Sequence, residues 1–260
     1  MTVALIDADV VAYQAAAAVE RPSRWDEGLW TLHAWEEEAD DKFDQMLDRI
    51  LVAVKADECV LAFTDSANWR KAVLPTYKSN RAEVRKPMLL KYLRERAESM
   101  HTCYTRPTLE GDDCLGILAT STNSDPMIVC SIDKDFKTIE GYHYNFGKEE
   151  FFHISPAQAD YWHLFQTLTG DTTDGYSGCP KVGAVNAARI LDPYAVDPES
   201  DIREFDVAGA WVAVVKAFEK AGLSEEEALV QARVARICRK SDYDFKKKEV
   251  ILWNPPVLNK

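Results

Sequence analysis

Acidic residues stand at the ends of three apolar runs, and this arrangement constrains the fold more than any other feature of the chain. The run VALIDAD ends on Asp7 and Asp9, VLAFTD ends on Asp65, and MIVCSIDKD ends on Asp133 and Asp135. Short apolar runs of this kind predict buried parallel strands. Because the carboxyl ends of parallel strands meet at one edge of an open α/β sheet, we expect these carboxylates to lie together there.

Two further acidic motifs lie between and after these runs. The motif EGDD contains Glu110, Asp112 and Asp113, and GDTTD contains Asp171 and Asp174. Each of these acids alone could be a surface residue or a helix cap. Together they would repel one another unless a cation lay among them. Because all-oxygen ligands favour Mg²⁺ or Mn²⁺ over zinc, and two ions need several carboxylates, the acids predict a two-metal site.

Charge is distributed unevenly along the chain, although the net charge is −12. Residues 70–96 contain nine Lys or Arg and two acids, so this segment carries +7 and the remainder −19. A basic segment beside a metal-binding acidic edge suits a substrate that is a polyanion. A solvated basic helix face would explain the same charge without any substrate, and charge alone leaves both interpretations open.

Composition predicts one large domain, or a main domain with an appendage, because the chain has 260 residues with 47% hydrophobic and 28% charged side chains. The alternation of strand and helix patterns makes the first part α/β. No apolar run approaches the roughly 20 residues that span a bilayer, so we expect no membrane association. The start MTVALIDAD lacks an export signal and the six cysteines are scattered. We therefore expect a cytoplasmic protein with reduced thiols.

Five motifs, taken in order, resemble those of the flap endonuclease/5′→3′ exonuclease superfamily. They are LIDAD, FTDSANWRKAVLPTYKSNR, EGDDCLGILA, SIDKDF and GDTTDGYSG. The similarity is strongest to the DNA exonucleases of short-tailed coliphages and extends to the tail ARICRKSDYDFKKKEVILW. The resemblance implies a PIN-like α/β catalytic domain over residues 1–168, with a mostly parallel sheet and a basic helical arch near 70–100. It also implies a helix–hairpin–helix and C-terminal helical DNA-binding region over residues 169–260.

The resemblance implies that the acids hold two Mg²⁺ ions, for which Mn²⁺ can substitute. The acids that match those around the first metal are Asp7, Asp65, Glu110, Asp112 and Asp113. Those that match the second are Asp133, Asp135, Asp171 and Asp174. The role of Asp9 stays open.

The basic segment resembles the gateway that contacts the scissile phosphate in this superfamily. Arg70, Lys78 and Arg81 match its catalytic cations, and on a helix Lys78 and Arg81 would share one face. Further DNA contacts are implied at Lys71, Arg85, Lys86, Gly178, Lys181 and Gly183. The last three lie in GCPKVG, which resembles the helix–hairpin–helix where a K⁺ ion often assists. Lys181 departs from the pattern, because glycine is common at its position.

The implied function is metal-dependent 5′→3′ hydrolysis of duplex DNA, with flap and RNase H-like activity. The enzyme would be a monomer that serves phage DNA replication or host DNA degradation. A flap-specific endonuclease is the alternative within this class. A haloacid-dehalogenase-type phosphatase would use Asp7 as a covalent nucleophile, but it leaves EGDD and the basic segment unexplained. A non-catalytic DNA-binding module would have no need of nine acids.

Overall fold

A six-stranded sheet forms the centre of the molecule in the computed structural model. The structure describes residues 1–81, 83–121, 125–197 and 202–257. In chain order the helices and strands of these residues are β1 (Val3–Asp7), α1 (Ala8–Ala18), β2 (Arg21–Asp26), β3 (Leu29–His33), α2 (Glu36–Val54), β4 (Glu58–Ala62), α3 (Arg70–Val73), α4 (Leu90–Met100), β5 (Cys103–Tyr104), α5 (Gly111–Ala119), β6 (Met127–Cys130), β7 (Gly141–Asn145), β8 (Glu150–Ile154), α6 (Pro156–Thr169), α7 (Ala184–Leu191), α8 (Val207–Lys220), α9 (Glu225–Ala235), β9 (Tyr243–Asp244) and β10 (Glu249–Val250).

The sheet is mostly parallel, as the apolar runs predict. Its strand order is β5-β4-β1-β6-β7-β8, and only the pair β7–β8 is antiparallel. Leu5 and Ile6 of the central β1 are fully buried, because structure covers both faces of the sheet. β1 ends on Asp7, and Asp65 and Asp133 follow the ends of β4 and β6. The carboxylates therefore lie at one edge of the sheet, as predicted.

Two hydrophobic cores hold this sheet between its helices. On one face α1, α2 and α4 bury Phe43, Leu47 and Leu93. On the other face α5 packs with a segment near the C-terminus that contains Ile237 and Tyr243. The longest of these helices, α2, ends where Lys55 adopts the left-handed conformation with φ 52°. The C-terminal segment thus packs against the central sheet together with α5.

A third core joins α6, α7, α8 and α9, and it includes Leu168, Val214 and Phe218. Capping boxes begin two of these helices, since Ser155 pairs with Gln158 at α6 and Ser224 with Glu227 at α9. The division predicted between residues 168 and 169 separates α6 from the helices that it packs against. Within the described residues, no helix has the length and apolar character needed to cross a membrane.

The antiparallel ribbon β2–β3 has no counterpart in the sequence-based expectations. Its strands join at a turn that contains Gly28 with φ 88°, and nearly all of their residues are exposed. The turn triplet Asp-Glu-Gly between two Trp-containing segments is the signal that could have indicated it. This ribbon is called the Trp hairpin below, and it comprises residues 21–33.

Candidate active site

Asp7 is a buried carboxylate at the end of β1, only 3% exposed. Its Oδ2 accepts a hydrogen bond from the Ser131 hydroxyl at 2.7 Å, and its Oδ1 accepts one from the Val10 amide at 3.3 Å. Burial raises the pKa of Asp7 to about 7, and the charges of Asp9 and Asp133 add to this effect. A cation beside Asp7 would stabilise its ionised form.

Asp112 lies in the first turn of α5 and faces the same space as Asp7. Burial, together with the charges of Asp7 and Asp133, holds the pKa of Asp112 well above its ordinary value. Among the described residues no hydrogen-bond donor engages its carboxylate. Its oxygens are therefore available to a ligand, unlike those of its neighbour Asp113.

Glu110 is the N-cap of α5 and binds two cations of the basic segment. Its Oε1 lies 2.6 Å from Lys78 Nζ, and its Oε2 accepts a hydrogen bond from Arg70 Nη1 at 3.0 Å. Burial opposes ionisation, but the charges of Arg70 and Lys78 outweigh it and lower the pKa of Glu110. Glu110 is thus held as a carboxylate at the acid edge.

Asp133 and Asp135 follow β6 and begin a short 3₁₀ helix. Asp133 Oδ1 accepts a hydrogen bond from the Asp135 amide at 2.8 Å, which fixes the turn. Asp135 Oδ1 accepts one from Gln166 Nε2 of α6 at 2.6 Å. Burial and then the charge of Asp133 raise the pKa of Asp135 to about 7. Asp133 therefore stands between two groups of acids, one with Asp7 and one with Asp135.

The loop between α6 and α7 supplies the remaining acids of the second group. Asp171 and Tyr176 close this loop through an isolated β-bridge. Asp171 Oδ2 lies 3.0 Å from Lys134 Nζ. The Tyr77 hydroxyl is 2.9 Å from Asp174 Oδ2 and 3.0 Å from Glu110 Oε2, so its one hydrogen can serve only one of them at a time. Tyr77 thus links the two groups of acids.

Arg70 occupies a different place from the one predicted, because it is an internal residue rather than a phosphate contact. It is 2% exposed. Its guanidinium donates to both carboxylate oxygens of Asp113 at 2.7 Å and to the carbonyl oxygens of Val234 and Arg236 at 2.9 and 2.6 Å. Together with the bond to Glu110, these four bonds occupy all five N–H groups of Arg70, so none is left for a substrate phosphate.

Asp113, predicted as a metal ligand, is the partner of Arg70 instead. It is completely buried. Besides Arg70, its oxygens accept hydrogen bonds from Trp69 Nε1 and from the Cys238 amide, each at 3.0 Å. Asp113 also completes a capping box with Glu110. These bonds use the lone pairs that a metal would need, so the geometry corrects this assignment.

Asp65 also differs from its predicted role, since it organises a loop. Its Oδ2 accepts the Thr108 amide hydrogen at 2.8 Å, and this bond is the main reason that its pKa is lowered. The other groups that lower it are amides and Ser66, rather than cations of the acid edge. Asp9 is closer to the group, because its pKa is raised by burial and also by the charge of Glu110.

Lys78 and Arg81 meet at the acids, although not through a shared helical face. Lys78 has φ 52°, and only a 3₁₀ turn, Ser79–Arg81, follows it. The two residues therefore do not lie on an α-helix, the condition under which they would share one face. Asp174 nevertheless receives both cations, since Lys78 Nζ lies 3.5 Å from its Oδ2 and Arg81 Nη2 lies 2.5 Å from its Oδ1. Residues 74–89, between α3 and α4, are called the arch segment below.

The other residues predicted to contact DNA fall into three situations. Lys71 and Lys86 are exposed, whereas Arg85 pairs with Glu20 at 2.5 Å. Gly178 is buried and donates its amide hydrogen to Gln231, so it is unavailable to a phosphate. The two remaining residues, Lys181 and Gly183, are exposed just before α7. Lys181 has φ 65°, which explains why glycine is common at this position in the superfamily.

Within residues 1–81, 83–121, 125–197 and 202–257, no three acidic, His or Cys side chains form a ready-made group of metal ligands. The acids share one edge, but Lys78, Arg81 and Lys134 lie among them and pair with them. The edge therefore attracts cations strongly. It also offers cationic side chains to an anionic substrate that approaches with its own counter-ions.

Comparison with known proteins places this architecture in a family. Residues 2–151 match the N-terminal resolvase-like domain of 5′-3′ exonucleases. An exodeoxyribonuclease of Enterobacteria phage T3 is 34% identical over 280 residues, which cover 96% of this chain and 92% of that protein. The chain belongs to the 5′→3′ exonuclease family. An exonuclease of Escherichia phage T7 is 32% identical, with 96% of this chain and 93% of that protein covered. Membership in this exonuclease family confirms the nuclease class predicted from the sequence.

Solved structures share the fold of this 5′→3′ exonuclease family member. A T5 5′-exonuclease with bound zinc superposes with a TM-score of 0.67 at 14% identity, covering 90% of this chain and 89% of that one. A bacteriophage T5 flap endonuclease with DNA and metal ions gives a TM-score of 0.66 at 14% identity, covering 90% and 89% of the two chains. These matches confirm the predicted fold.

Three residues of the site were missed by the sequence reasoning. Tyr77, Gln166 and Ser131 each bond an acid of the edge, at Asp174, Asp135 and Asp7 respectively. Tyr77 lies next to Lys78 in the motif FTDSANWRKAVLPTYKSNR, so its position in the sequence could have indicated that it belongs to the site. Ser131 likewise begins the motif SIDKDF, although it carries no charge. Gln166 lies outside the five motifs, and only the fold shows its role.

Proposed function

We propose that this chain hydrolyses phosphodiester bonds at the 5′ ends of duplex DNA with the aid of two Mg²⁺ ions, for which Mn²⁺ can substitute. The observation that carries the proposal is the meeting of two groups of carboxylates with Lys78 and Arg81 at the sheet edge. The T5 relative of the same fold was solved with DNA and metal ions, which supports both partners. We propose a monomer that acts in the host cytoplasm during phage DNA replication or host DNA degradation.

The carboxylates present fit Mg²⁺, because all donors are oxygens and because burial raises the pKa values of Asp7, Asp112 and Asp135, which form no ion pair within the described residues. Asp7, Glu110 and Asp112 would hold one ion, and Asp135, Asp171 and Asp174 the other, with Asp133 between them. When bound, such ions activate a water and stabilise the leaving oxygen of a phosphodiester.

The chain's own cations position the reacting phosphate. The ammonium group of Lys78 contacts Glu110 and Asp174, and its positive charge would stabilise a phosphate that binds beside them. Arg81 is half-exposed, and its planar guanidinium can bind two phosphate oxygens. Because phosphoryl transfer builds negative charge in the transition state, both side chains contribute most at that point. Flap cleavage would use the same groups.

The turn before α7 is the second DNA contact that we propose. Lys181 and Gly183 are exposed there, and α7 begins directly behind them. Exposed amides at a helix start suit a duplex phosphate. A K⁺ ion at this turn stays a prediction. Lys71 and Lys86 would add contacts with the backbone at the arch segment.

Digestion of a blunt duplex labelled at one 5′ end tests the proposal. With Mg²⁺ or Mn²⁺ we expect labelled mononucleotides or short oligonucleotides to appear first, while the 3′ end of the strand stays intact. In excess EDTA we expect no digestion, because without metal ions there is no activated water to attack the phosphodiester bond. Cleavage that persists after exhaustive chelation, or that starts at the 3′ end, would contradict the proposal. An aspartyl-phosphate trapped from small phosphate esters would favour the phosphatase alternative.

Replacing Lys78 by alanine should slow the chemical step more than it weakens binding. We expect the single-turnover rate to fall about tenfold or more, which is about 1.4 kcal/mol of barrier. Lys91→Ala is the matched control, because Lys91 is an 87% exposed cation of the same basic segment and its ion pair among the described residues is with Glu95. The control should keep its rate and lose affinity slightly as salt is raised. Equal rates for Lys78→Ala and wild type would remove Lys78 from the reaction.

A further inference from the structure

The Trp hairpin presents large aromatic side chains to solvent. Trp25 is 66% exposed and Trp30 is 57% exposed. Both faces of β2 and most of β3 are exposed, so the ribbon stands away from the body of the molecule. The Trp25 indole donates a hydrogen bond to Thr31 Oγ1 at 2.7 Å, which ties the two strands together. Two-stranded ribbons are only marginally stable in water, so exposure of two indoles on one requires a reason.

The position of the hairpin connects it with the acid edge. It follows α1, which begins at Ala8, directly after Asp7, and has 11 residues, a length of about 16 Å. At its base Glu20 accepts hydrogen bonds from Arg85 at 2.5 Å and from the Met88 amide at 2.8 Å. Arg85 and Met88 belong to the arch segment, whose other end meets Asp174 through Lys78. The Trp hairpin and the loop before α7 therefore flank opposite ends of the arch segment.

The chemistry of the hairpin suits unpaired bases. Aromatic rings accompanied by arginines are the usual surface for single-stranded nucleic acids, since every base has a flat π-face. The Arg24 guanidinium lies 5.7 Å from the centroid of the Trp30 ring and extends this flat surface. Asp26 and Glu27 at the turn would repel phosphates from the tip. The exposed Lys86, where the hairpin joins the body of the molecule, would attract the phosphates. The nucleotide bases would then be free to stack on the indoles.

We propose that the Trp hairpin stacks the unpaired nucleotides of a 5′ flap on the strand that is cleaved. This proposal rests on the proposed function, because a 5′-terminated strand must run from the acids along the arch segment. The length of α1 equals about five nucleotides at the duplex rise of about 3.4 Å. The hairpin is thus within reach of nucleotides that lie a few positions beyond the cleaved phosphate. The duplex part of the substrate would bind the loop before α7, at the other end of the arch segment.

Binding measurements in EDTA, without cleavage, test the hairpin separately from catalysis. The probes are a duplex with a short 5′ flap that carries 2-aminopurine and a blunt duplex of the same sequence. Trp30→Ala is expected to weaken flap binding about tenfold and to relieve the quenching of 2-aminopurine. Trp30→Tyr should retain most of the affinity, because it retains a stacking ring. Binding of the blunt duplex should stay unchanged in all variants.

Leu29→Ala is the matched control, because Leu29 lies beside Trp30 and is equally exposed at 56%. Stacking requires Leu29→Ala to bind the flap normally. A loss as large as that of Trp30→Ala would indicate a surface for an apolar protein partner and overturn the proposal. Flap binding unaffected by Trp30→Ala, or equal losses on flap and blunt DNA, would overturn it too. Wild-type digestion from 3′ ends would instead refute the proposed function, and the two failures are thereby distinguished.

Discussion

Asp112→Asn is expected to reduce the single-turnover cleavage rate about a thousandfold, which corresponds to about 4 kcal/mol of barrier. The reason is that Asp112 lies among Asp7 and Asp133 with its oxygens unused by donors of the described residues. Its loss would leave a proposed metal ion short of a ligand and its water badly placed. Folding should be unaffected, since no hydrogen bond or ion pair of the described residues is removed. Duplex binding should persist or tighten, because a negative charge near phosphate disappears.

Asp65→Asn is the control that shows whether the observed geometry or the sequence motif identifies the metal ligands. Both acids match the same predicted metal, but Asp65 accepts the Thr108 amide and asparagine can accept it equally well. We therefore expect near-normal cleavage for Asp65→Asn. Quench-flow measurements with DNA and Mg²⁺ in excess give both rates. A folded Asp112→Asn enzyme that cleaves at the normal rate would exclude Asp112 as a ligand.

Arg70→Met should destabilise the protein by about 3–5 kcal/mol, the second large effect that we expect. The substitution keeps most of the volume but leaves Asp113 and Glu110 buried without their guanidinium partner. Two backbone carbonyl groups of the C-terminal segment also lose a donor. Urea unfolding, followed by circular dichroism, should show a lower midpoint with an unchanged slope.

Lys71→Met serves as the control, since Lys71 is the exposed neighbour of Arg70 and should change stability very little. A combined Arg70→Met and Asp113→Asn variant should recover part of the lost stability, because the unpaired charge is removed. The opposite pattern, normal stability with a strongly reduced cleavage rate, would restore Arg70 to the phosphate-contact role that its motif implies.

The parallel direction of the central strands and the edge that carries the acids could be predicted from the sequence. Apolar runs that end on Asp7 and Asp133 determine the direction in which those strands point, and parallel pairing does the rest. The family resemblance added the grouping of the acids, because the motifs stand in a fixed order. These predictions depend on local patterns, and local patterns are what a sequence displays.

The difference in role between Arg70 and Lys78 could not be predicted in this way. Both are cations in one basic motif, and only burial distinguishes them. That burial comes from Val234 and Arg236, which are 164 and 166 residues distant from Arg70. The assignment of Asp113 failed for the same reason, since the Cys238 amide that binds it is 125 residues away. The Trp hairpin was missed because its exposed strands lack the alternation of apolar and polar residues that reveals a packed strand.

The hydrogen bonds that join Arg70 and Asp113 to residues 234–238 also determine the order in which parts of the site can form during synthesis. β1 and the motif EGDD leave the ribosome early, but the carbonyl groups that complete the Arg70 environment emerge more than a hundred residues later. Contacts over such separations form slowly and late in folding. A nascent chain in which every acid of the site has been synthesised therefore still lacks the hydrogen bonds from residues 234–238 that hold α3 and α5 together. We therefore expect cleavage activity to appear only after residues 234–238 have folded back onto Arg70 and Asp113.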